Sequence, residues 1–236
     1  IVALVLAGLA VSAAARGEWK PAAGPLQTRW ARDVSPANAL PEYPRPQMVR
    51  KEWQNLNGLW QFAEGQPDQA PPIGKDLDGR ILVPYPVESQ LSGVGKHVKH
   101  VWYRRMVTVP KEWEGRRVLR HFGAVDWHAT VWLNGQFVGG WPYGYSSFRL
   151  ELTPAIRFGA DNVIAVRLDN PPASSRWYPG AGIYRNVWLV KTAPVHVAQW
   201  GTCVTTPDVT AKAAKVKIEV TVDNQAPAEA EVTAGT

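Results

Sequence analysis

The sequence has a single cysteine, Cys203, so no disulfide can form within the 236-residue chain. A chain of this length buries a core large enough to fold without one. We expect Cys203 to be a buried, inert thiol, because nothing around it indicates the exposure and lowered pKa of a reactive thiol.

The sequence also lacks a concentrated run of one charge, although its formal net charge is +6. Its lysines and arginines are scattered, whereas nucleic-acid-binding proteins gather them on one face. The scatter favours solvated strand faces and argues against a nucleic-acid partner, while an acidic sugar stays open as a partner.

Sustained helical periodicity is missing as well. Short apolar or alternating runs stop at turn residues instead, at 59–63, 80–87, 101–110, 116–125, 129–141, 148–153, 162–169 and 186–192. Within 129–141, the pair Asn134-Gly135 separates two β-rich runs and predicts a type I′ hairpin. Pro84 and Pro86 predict a strand end or a sheet edge. Short strands at this spacing are typical of an antiparallel sandwich, so the predicted fold class is all-β.

The first fifteen residues carry no charge and end in Ala13-x-Ala15, which fits a signal-peptidase site. A buried helix is the alternative, since the run is too short to span a bilayer comfortably. We interpret residues 1–15 as a signal-peptide remnant. The protein is then exported to the periplasm or the extracellular space, with no membrane attachment after signal removal. Residues 16–46, with six prolines, predict an extended leader across the surface.

Beyond Pro194 the strands become smaller and richer in Ala, Thr and Val, at 195–200, 215–222 and 230–234. They predict the opening of a second sandwich. The 43 residues from 194 to 236 are fewer than the roughly 100 of an immunoglobulin-like sandwich. We therefore expect an incomplete sandwich with unpaired edges. The predicted domains are the main sandwich at 47–193 and this partial one at 194–236.

Four ordered blocks carry a family resemblance. They are VWYRRMVTVP (101–110), RVLRHFGAVDWHATVWLNGQFVGG (117–140), FRLELTPAI with GADNVIAVRLDN (148–170) and SRWYPGAGIYRNVWL (175–189). Residues 45–192 resemble the N-terminal sugar-binding domain of glycoside hydrolase family 2, which includes β-galactosidases, β-glucuronidases and β-mannosidases. The resemblance implies a jelly-roll, galactose-binding-like β-sandwich. An immunoglobulin-like sandwich and a TIM barrel with the catalytic acids are implied to follow it.

Paired carboxyl groups, which glycoside hydrolysis usually requires about 5–5.5 Å apart for retention, are not recognisable in the sequence. The candidate acids Glu52, Glu88, Asp126 and Asp169 sit in no acid–base motif. The resemblance places both catalytic glutamates on the barrel, which takes about 250 residues and has no room here. We therefore predict no catalytic residue in this chain. It is expected to be an inactive part of an exported, retaining O-glycosyl hydrolase of carbohydrate metabolism, most like a β-galactosidase.

The segment from Ser174 to Leu189 is rich in aromatic rings and has no acid. The resemblance implies that its loop reaches the barrel's pocket and helps to form the subsite for the non-reducing sugar. Some family members carry an aspartate there, but this chain has Ser175-Arg176, so that role does not carry over.

Four residues are candidates for substrate binding: Arg176, Trp177, Tyr178 and Asp126. Arg176 can bind hydroxyls or a carboxylate. Trp177 and Tyr178 can present flat faces to a pyranose. Asp126 either contacts a ligand hydroxyl or caps a turn. The structural alternative for the loop residues is that they lock the loop against the next domain.

No metal site or cofactor is predicted. His97-x-x-His100 has no accompanying cysteine or acid cluster. Gly180-Ala181-Gly182 precedes a strand rather than a helix, which argues against a phosphate loop. Carbohydrate is the expected partner, together with the catalytic barrel of the same protein. Two other functions stay open: a stand-alone carbohydrate-binding module, and a structural scaffold for homo-oligomer contacts. The identity of the sugar is left open.

Overall fold

A computed structural model describes residues 19–172, 180–233 and 235 of the chain. The regular structure of these residues is almost entirely β-strand, with single 3₁₀ turns at Ala31–Asp33, Pro46–Met48, Gln90–Ser92, Lys111–Trp113 and Thr153–Ala155. Among the described residues, no helix has the length and apolar character needed to cross a membrane.

Fourteen strands are present in the described part of the chain. They are β1 (Trp53–Asn55), β2 (Gly58–Glu64), β3 (Gly79–Val83), β4 (His100–Thr108), β5 (Arg117–Phe122), β6 (Val125–Asp126), β7 (His128–Leu133), β8 (Gln136–Trp141), β9 (Phe148–Glu151), β10 (Asp161–Asp169), β11 (Gly182–Ile183), β12 (Val187–Thr192), β13 (Val195–Val209) and β14 (Ala214–Asn224).

Two antiparallel sheets form the body of the molecule. The four-stranded sheet has the order β1-β12-β5-β9, and the six-stranded sheet has the order β3-β2-β4-β10-β7-β8. β6 and β11 form a short separate pair, and β13 pairs with β14 in a long hairpin. The predicted all-β sandwich is therefore confirmed.

Alternation along each strand sends one set of side chains between the two sheets. On β5, Val118 and Phe122 enter the core shared with the six-stranded sheet, whereas Leu119 lies on the opposite face. The core is continuous across both sheets; its larger members include Trp60, Phe62, Ile81, Tyr103, Leu133, Ile164, Leu168 and Leu189. A core of this size accounts for folding without a disulfide.

The outer faces of both sheets are also covered. Tyr43 of the leader packs with Trp53 over Leu119, Trp188 and Val190 of the four-stranded sheet. On the six-stranded sheet, the loop between β2 and β3 brings Leu77 onto Trp102. An ion pair of 2.7 Å between Arg104 and Asp76 ties that loop down. At Tyr43 the leader thus lies over the outer face of the four-stranded sheet.

Local turn chemistry agrees with the sequence at two places. Asn134 and Gly135 have φ values of 52° and 89°, as a type I′ turn requires, and they join β7 to β8. β3 ends at Val83, immediately before Pro84, and lies at the edge of its sheet. Proline lacks the N–H that a central strand would need.

Two expectations were wrong in the C-terminal part. Cys203 is exposed, not buried. It lies on β13 opposite Glu219, in the stretch of the hairpin that extends beyond the sandwich and has no second layer over it. Residues 230–233 form no strand, although 230–234 had been predicted as one. The partial immunoglobulin-like sandwich stays a prediction, since the β13–β14 hairpin alone does not define it.

Candidate functional site

The candidate site lies where the short β6–β11 pair joins the sandwich. Asp126, the last residue of β6, is directly opposite Gly182, the first residue of β11. Val87 N–H donates to the carbonyl of Ala181 over 2.8 Å, which anchors the chain just before β11. These bonds hold Asp126 beside Ala181 and Gly182, which follow the segment 173–179 in the sequence.

Four aromatic residues surround this point and form what we call the aromatic cluster: Trp127, Tyr143, Tyr145 and Tyr184. The ring of Tyr143 makes edge contacts with Trp127 at 6.1 Å and with Tyr145 at 5.7 Å between centroids. The Tyr184 hydroxyl donates to the Gly144 carbonyl over 2.7 Å. Trp127, Tyr143 and Tyr145 are 36%, 47% and 44% exposed, so the cluster offers ring faces and edges to solvent.

Asp126 lies beneath this cluster and is buried. Its carboxyl group contacts Gly144 so closely that a Cβ atom at position 144 would overlap Asp126 Oδ1. Burial, and secondly the nearby Glu88 carboxylate, raise the pKa of Asp126 above its ordinary value. Burial also raises the pKa of Tyr184, and the Asp126 charge adds to that effect. The site therefore places the Asp126 carboxyl group and the Tyr184 hydroxyl group next to aromatic rings, where both groups are partly removed from solvent.

The other candidate acids have structural partners. Glu88 Oε2 accepts a hydrogen bond of 3.0 Å from Ala181 N–H, and Glu88 Oε1 lies 3.0 Å from His97 Nδ1. Asp169 Oδ1 lies 2.8 Å from His100 Nδ1. These two histidines therefore face different carboxylates and do not converge on one point.

The fourth acid, Glu52, forms an ion pair with Lys191 on the four-stranded sheet. Among the described residues, no group of three or more histidines, cysteines and acids is arranged to hold a metal ion. The arrangement around Asp126 brings a carboxyl group beside exposed aromatic rings, which suits contact with a polar, ring-shaped ligand.

The sequence-predicted site residues fall in two places. Asp126 lies in the site described above. Arg176, Trp177 and Tyr178 lie outside the described residues, so their roles stay predictions. Sequence reasoning missed the aromatic residues at 143, 145 and 184. The run Trp-Pro-Tyr-Gly-Tyr at 141–145, directly after the predicted hairpin, was the signal that could have indicated them.

Two facing antiparallel sheets with exposed rings gathered at one end are typical of β-sandwich domains that bind carbohydrate. Residues 77–193 match the family model of the sugar-binding domain of glycosyl hydrolases family 2. The chain therefore belongs to glycosyl hydrolase family 2, through the sugar-binding domain found in the N-terminal part of these proteins.

Individual relatives agree with this assignment. The chain is 38% identical over 202 residues to the β-galactosidase BoGH2A of Bacteroides ovatus, covering 78% of this chain and 23% of that protein. It is 31% identical over 146 residues to a β-glucuronidase of Formosa agariphila, covering 53% of this chain and 15% of the relative. A family 2 glycosyl hydrolase structure from Bacteroides cellulosilyticus matches with a TM-score of 0.66 at 31% identity, covering 74% and 25% of the two chains. The chain thus spans less than a quarter of the length of the two curated relatives.

Proposed function

We propose that this chain is the non-catalytic N-terminal part of an exported family 2 glycosidase, most like a β-galactosidase. In this proposal the jelly roll supports the sugar pocket of a catalytic barrel and lines part of it. The observation that carries the proposal is the position of Asp126 and the aromatic cluster beside β11, which begins three residues after the segment 173–179 in the sequence.

The chemistry of this surface suits a saccharide. Exposed rings can stack on the apolar face of a pyranose. A buried carboxyl such as that of Asp126 can exchange hydrogen bonds with a sugar hydroxyl, and its partly desolvated setting strengthens such bonds. Arg176, Trp177 and Tyr178 would extend the same surface from the 173–179 segment, with the guanidinium of Arg176 as a further donor.

The acids of this chain also fit a supporting role. Retaining hydrolysis needs two carboxyl groups on opposite sides of the scissile bond. Glu52, Glu88 and Asp169 are each bound to a basic partner or a backbone N–H. Asp126 is the acid of this set that lies beside the aromatic cluster, and the Glu88 carboxylate near it is bound to Ala181 N–H and faces His97.

Catalysis is tested by comparing the 236-residue chain with the protein encoded by the complete gene. We expect the complete protein to hydrolyse a chromogenic β-galactoside and the chain alone to be inactive. Hydrolysis by the chain alone would overturn the non-catalytic assignment. A gene without a barrel carrying two glutamates after residue 236 would overturn the enzyme assignment.

Pocket lining is tested by Trp177→Ala in the complete protein. We expect KM for the galactoside to rise roughly tenfold, which corresponds to about 1.4 kcal/mol of lost binding, with an unchanged oligomeric state. Trp200→Ala is the matched control, since Trp200 is an exposed tryptophan on the β13–β14 hairpin. An unchanged KM with altered assembly would favour the scaffold function instead. Micromolar binding of galactosides or plant polysaccharides by the 236-residue chain would favour the stand-alone module.

A further inference from the structure

A small cavity lies where three parts of the molecule meet, away from the aromatic cluster. The segment before β1 contributes Arg45 and Arg50, and the four-stranded sheet contributes His121 and Arg149. Gln199 of β13 completes this set of polar lining residues. The space open to the centre of a water-sized particle is about 10 Å³, close to what one water molecule or one small ion occupies. We call this space the arginine cavity.

The charge around the arginine cavity is unbalanced. Three guanidinium groups line it, and none of its described lining residues is acidic. Arg149 has one carboxylate partner, Asp223, at 3.0 Å. Arg45 and Arg50 form no ion pair with a described residue. They donate instead to the backbone carbonyls of Gln199 and Val197.

This positive charge also acts on the groups beside it. Burial, followed by the charges of Arg149 and Arg50, lowers the pKa of His121 to about 3, so its ring is neutral at neutral pH. The Arg45 guanidinium stacks 3.8 Å above the Trp200 ring, which compensates part of its charge only. Burial also lowers the pKa of Arg45 and Arg50, and each of these arginines feels the charge of a neighbour.

Two buried side chains at the cavity have polar atoms without a partner. Gln199 is 7% exposed and its amide Nε2 has no hydrogen-bond acceptor. His121 is 5% exposed, stacks on Trp188, and has no partner at either ring nitrogen. Gln199 lies within hydrogen-bonding reach of His121, and this contact raises the His121 pKa against the stronger lowering effects, but its geometry falls short of a well-formed hydrogen bond. Buried donors of this kind normally have a partner.

We propose that the arginine cavity binds one small monovalent anion, with chloride as the physiological candidate. The anion would accept from Gln199 Nε2 and the His121 N–H and would balance the guanidinium charges of Arg45 and Arg50. It would join the leader, the four-stranded sheet and the hairpin at one point. A space of this size favours a monatomic ion over sulfate, phosphate and sugar carboxylates, each of which has several heavy atoms.

A water molecule is the competing occupant. It would satisfy the orphaned atoms of Gln199 and His121, but it would leave two guanidinium charges uncompensated in a partly buried setting. The two occupants differ in one measurable respect. Anion binding makes stability rise with the logarithm of the chloride concentration and makes that rise depend on the residues lining the cavity, whereas general anion effects on the protein surface act on every variant alike.

The test is thermal and urea unfolding of this chain while sodium chloride replaces sodium gluconate at fixed ionic strength. We expect chloride to stabilise the chain. Once the chloride concentration exceeds its dissociation constant, each tenfold increase in that concentration should raise the ratio of folded to unfolded chain about tenfold. Crystals grown in bromide should show an anomalous peak between Gln199 Nε2 and the His121 ring. No chloride dependence, with a water in place of the bromide peak, would overturn the proposal.

Substitutions distinguish chloride binding at the arginine cavity from a general effect of salt on the protein. Gln199→Leu and Arg50→Met should abolish the chloride dependence, whereas Arg185→Met should keep it. Arg185 is an arginine of a neighbouring cavity and is absent from this one. Equal chloride dependence in all three variants would contradict the proposal. If Arg50→Met does not fold, Gln199→Leu decides alone, because it removes the orphaned donor and no charge.

Discussion

Arg120 is a charged side chain inside the apolar core. It lies on β5 between Val118 and Phe122 and is fully buried. Its three guanidinium nitrogens have no hydrogen-bond partner in the described part of the chain. The guanidinium carbon lies 4.2 Å from the Phe122 ring centre and 5.0 Å from that of Trp60. Burial lowers the pKa of Arg120, and the charge of Arg105 lowers it further. The faces of the Phe122 and Trp60 rings are the groups that stabilise the Arg120 charge.

Replacing Arg120 by two different apolar residues should separate its charge from its volume. Arg120→Met keeps most of the volume and removes the unpaired charge, so we expect equal or higher stability, by up to about 2 kcal/mol. Arg120→Ala leaves a cavity beneath Trp60 and should lower stability by about 2–5 kcal/mol. Urea denaturation of both variants is the measurement. A methionine variant less stable than the alanine variant would contradict this account.

His121 should make the protein sensitive to acid. Its pKa is lowered from 6.5 to about 3 in the folded state, so the unfolded chain takes up a proton that the folded chain excludes. Stability is therefore lost as pH falls from about 6.5 towards 3, at up to about 1.4 kcal/mol per pH unit.

The contribution of His121 can be isolated by substitution. His121→Phe keeps a ring against Trp188 and removes the titration. Between about pH 7 and pH 5, in chloride-free buffer, we expect the variant to lose about 2 kcal/mol less stability than the parent chain. His128→Gln, at an exposed histidine, is the control and should behave as the parent does. Equal losses of stability in the parent chain and in His121→Phe would contradict the assignment of this pH dependence to His121.

At the scale of elements, β11 depends on its first residue. Gly182 has a φ of +113°, which disfavours any residue with a Cβ. A Cβ there would lie 2.6 Å from Tyr103 Oη and 3.0 Å from Val87 Cγ2. Only glycine lets the β6–β11 pair approach the core at this point.

Gly182→Ala should therefore destabilise the fold and disturb the candidate site together. We expect a loss of at least about 2 kcal/mol, from backbone strain and steric overlap. Gly74→Ala is the matched control, because a Cβ at position 74 meets no atom within 4 Å. The control should change stability by less than about 0.5 kcal/mol. Similar unfolding midpoints for the two variants would show that the close approach at Gly182 is not needed.

Most strands could be predicted because their signals are local. Alternation, the Asn134-Gly135 turn and the proline at 84 act within a few residues, and the structure has strand ends where they indicate. Exposure of Cys203 could not be predicted in this way, since strand burial depends on whether another layer covers it. The aromatic cluster could not be predicted either. Its residues come from three separate turns that meet only through tertiary pairing of β6 with β11.

At the scale of the whole molecule, the hairpin presents one uncovered apolar face. Val216, Ile218, Val220 and Val222 alternate along β14 and are 57%, 47%, 43% and 37% exposed. The intervening residues are lysine, glutamate and threonine. This binary pattern is typical of a strand that is buried on one side. Exposed together, such residues are an aggregation hazard.

This face should govern the solution behaviour of the 236-residue chain. We expect the chain to associate as its concentration rises, and Ile218→Lys combined with Val220→Lys to suppress the association. Lys217→Glu alters charge on the opposite face and serves as the control. Sedimentation velocity over a concentration series is the measurement. A parent chain that stays monomeric throughout, or a double variant that associates as strongly, would contradict the expectation.

The segment before β1 has a practical consequence for anyone who expresses this domain. The family match begins at residue 77, yet β1 and β2 lie upstream and supply the partners of β12 and β4. Arg45 and Arg50, further upstream, are bonded to the backbone of β13. A clone restricted to the matched residues would lack β1, an edge strand of the four-stranded sheet, and β2, an inner strand of the six-stranded sheet. It would also lack Arg45 and Arg50 and their bonds to β13. The boundary of the family-model match is therefore not the boundary of the cooperative folding unit.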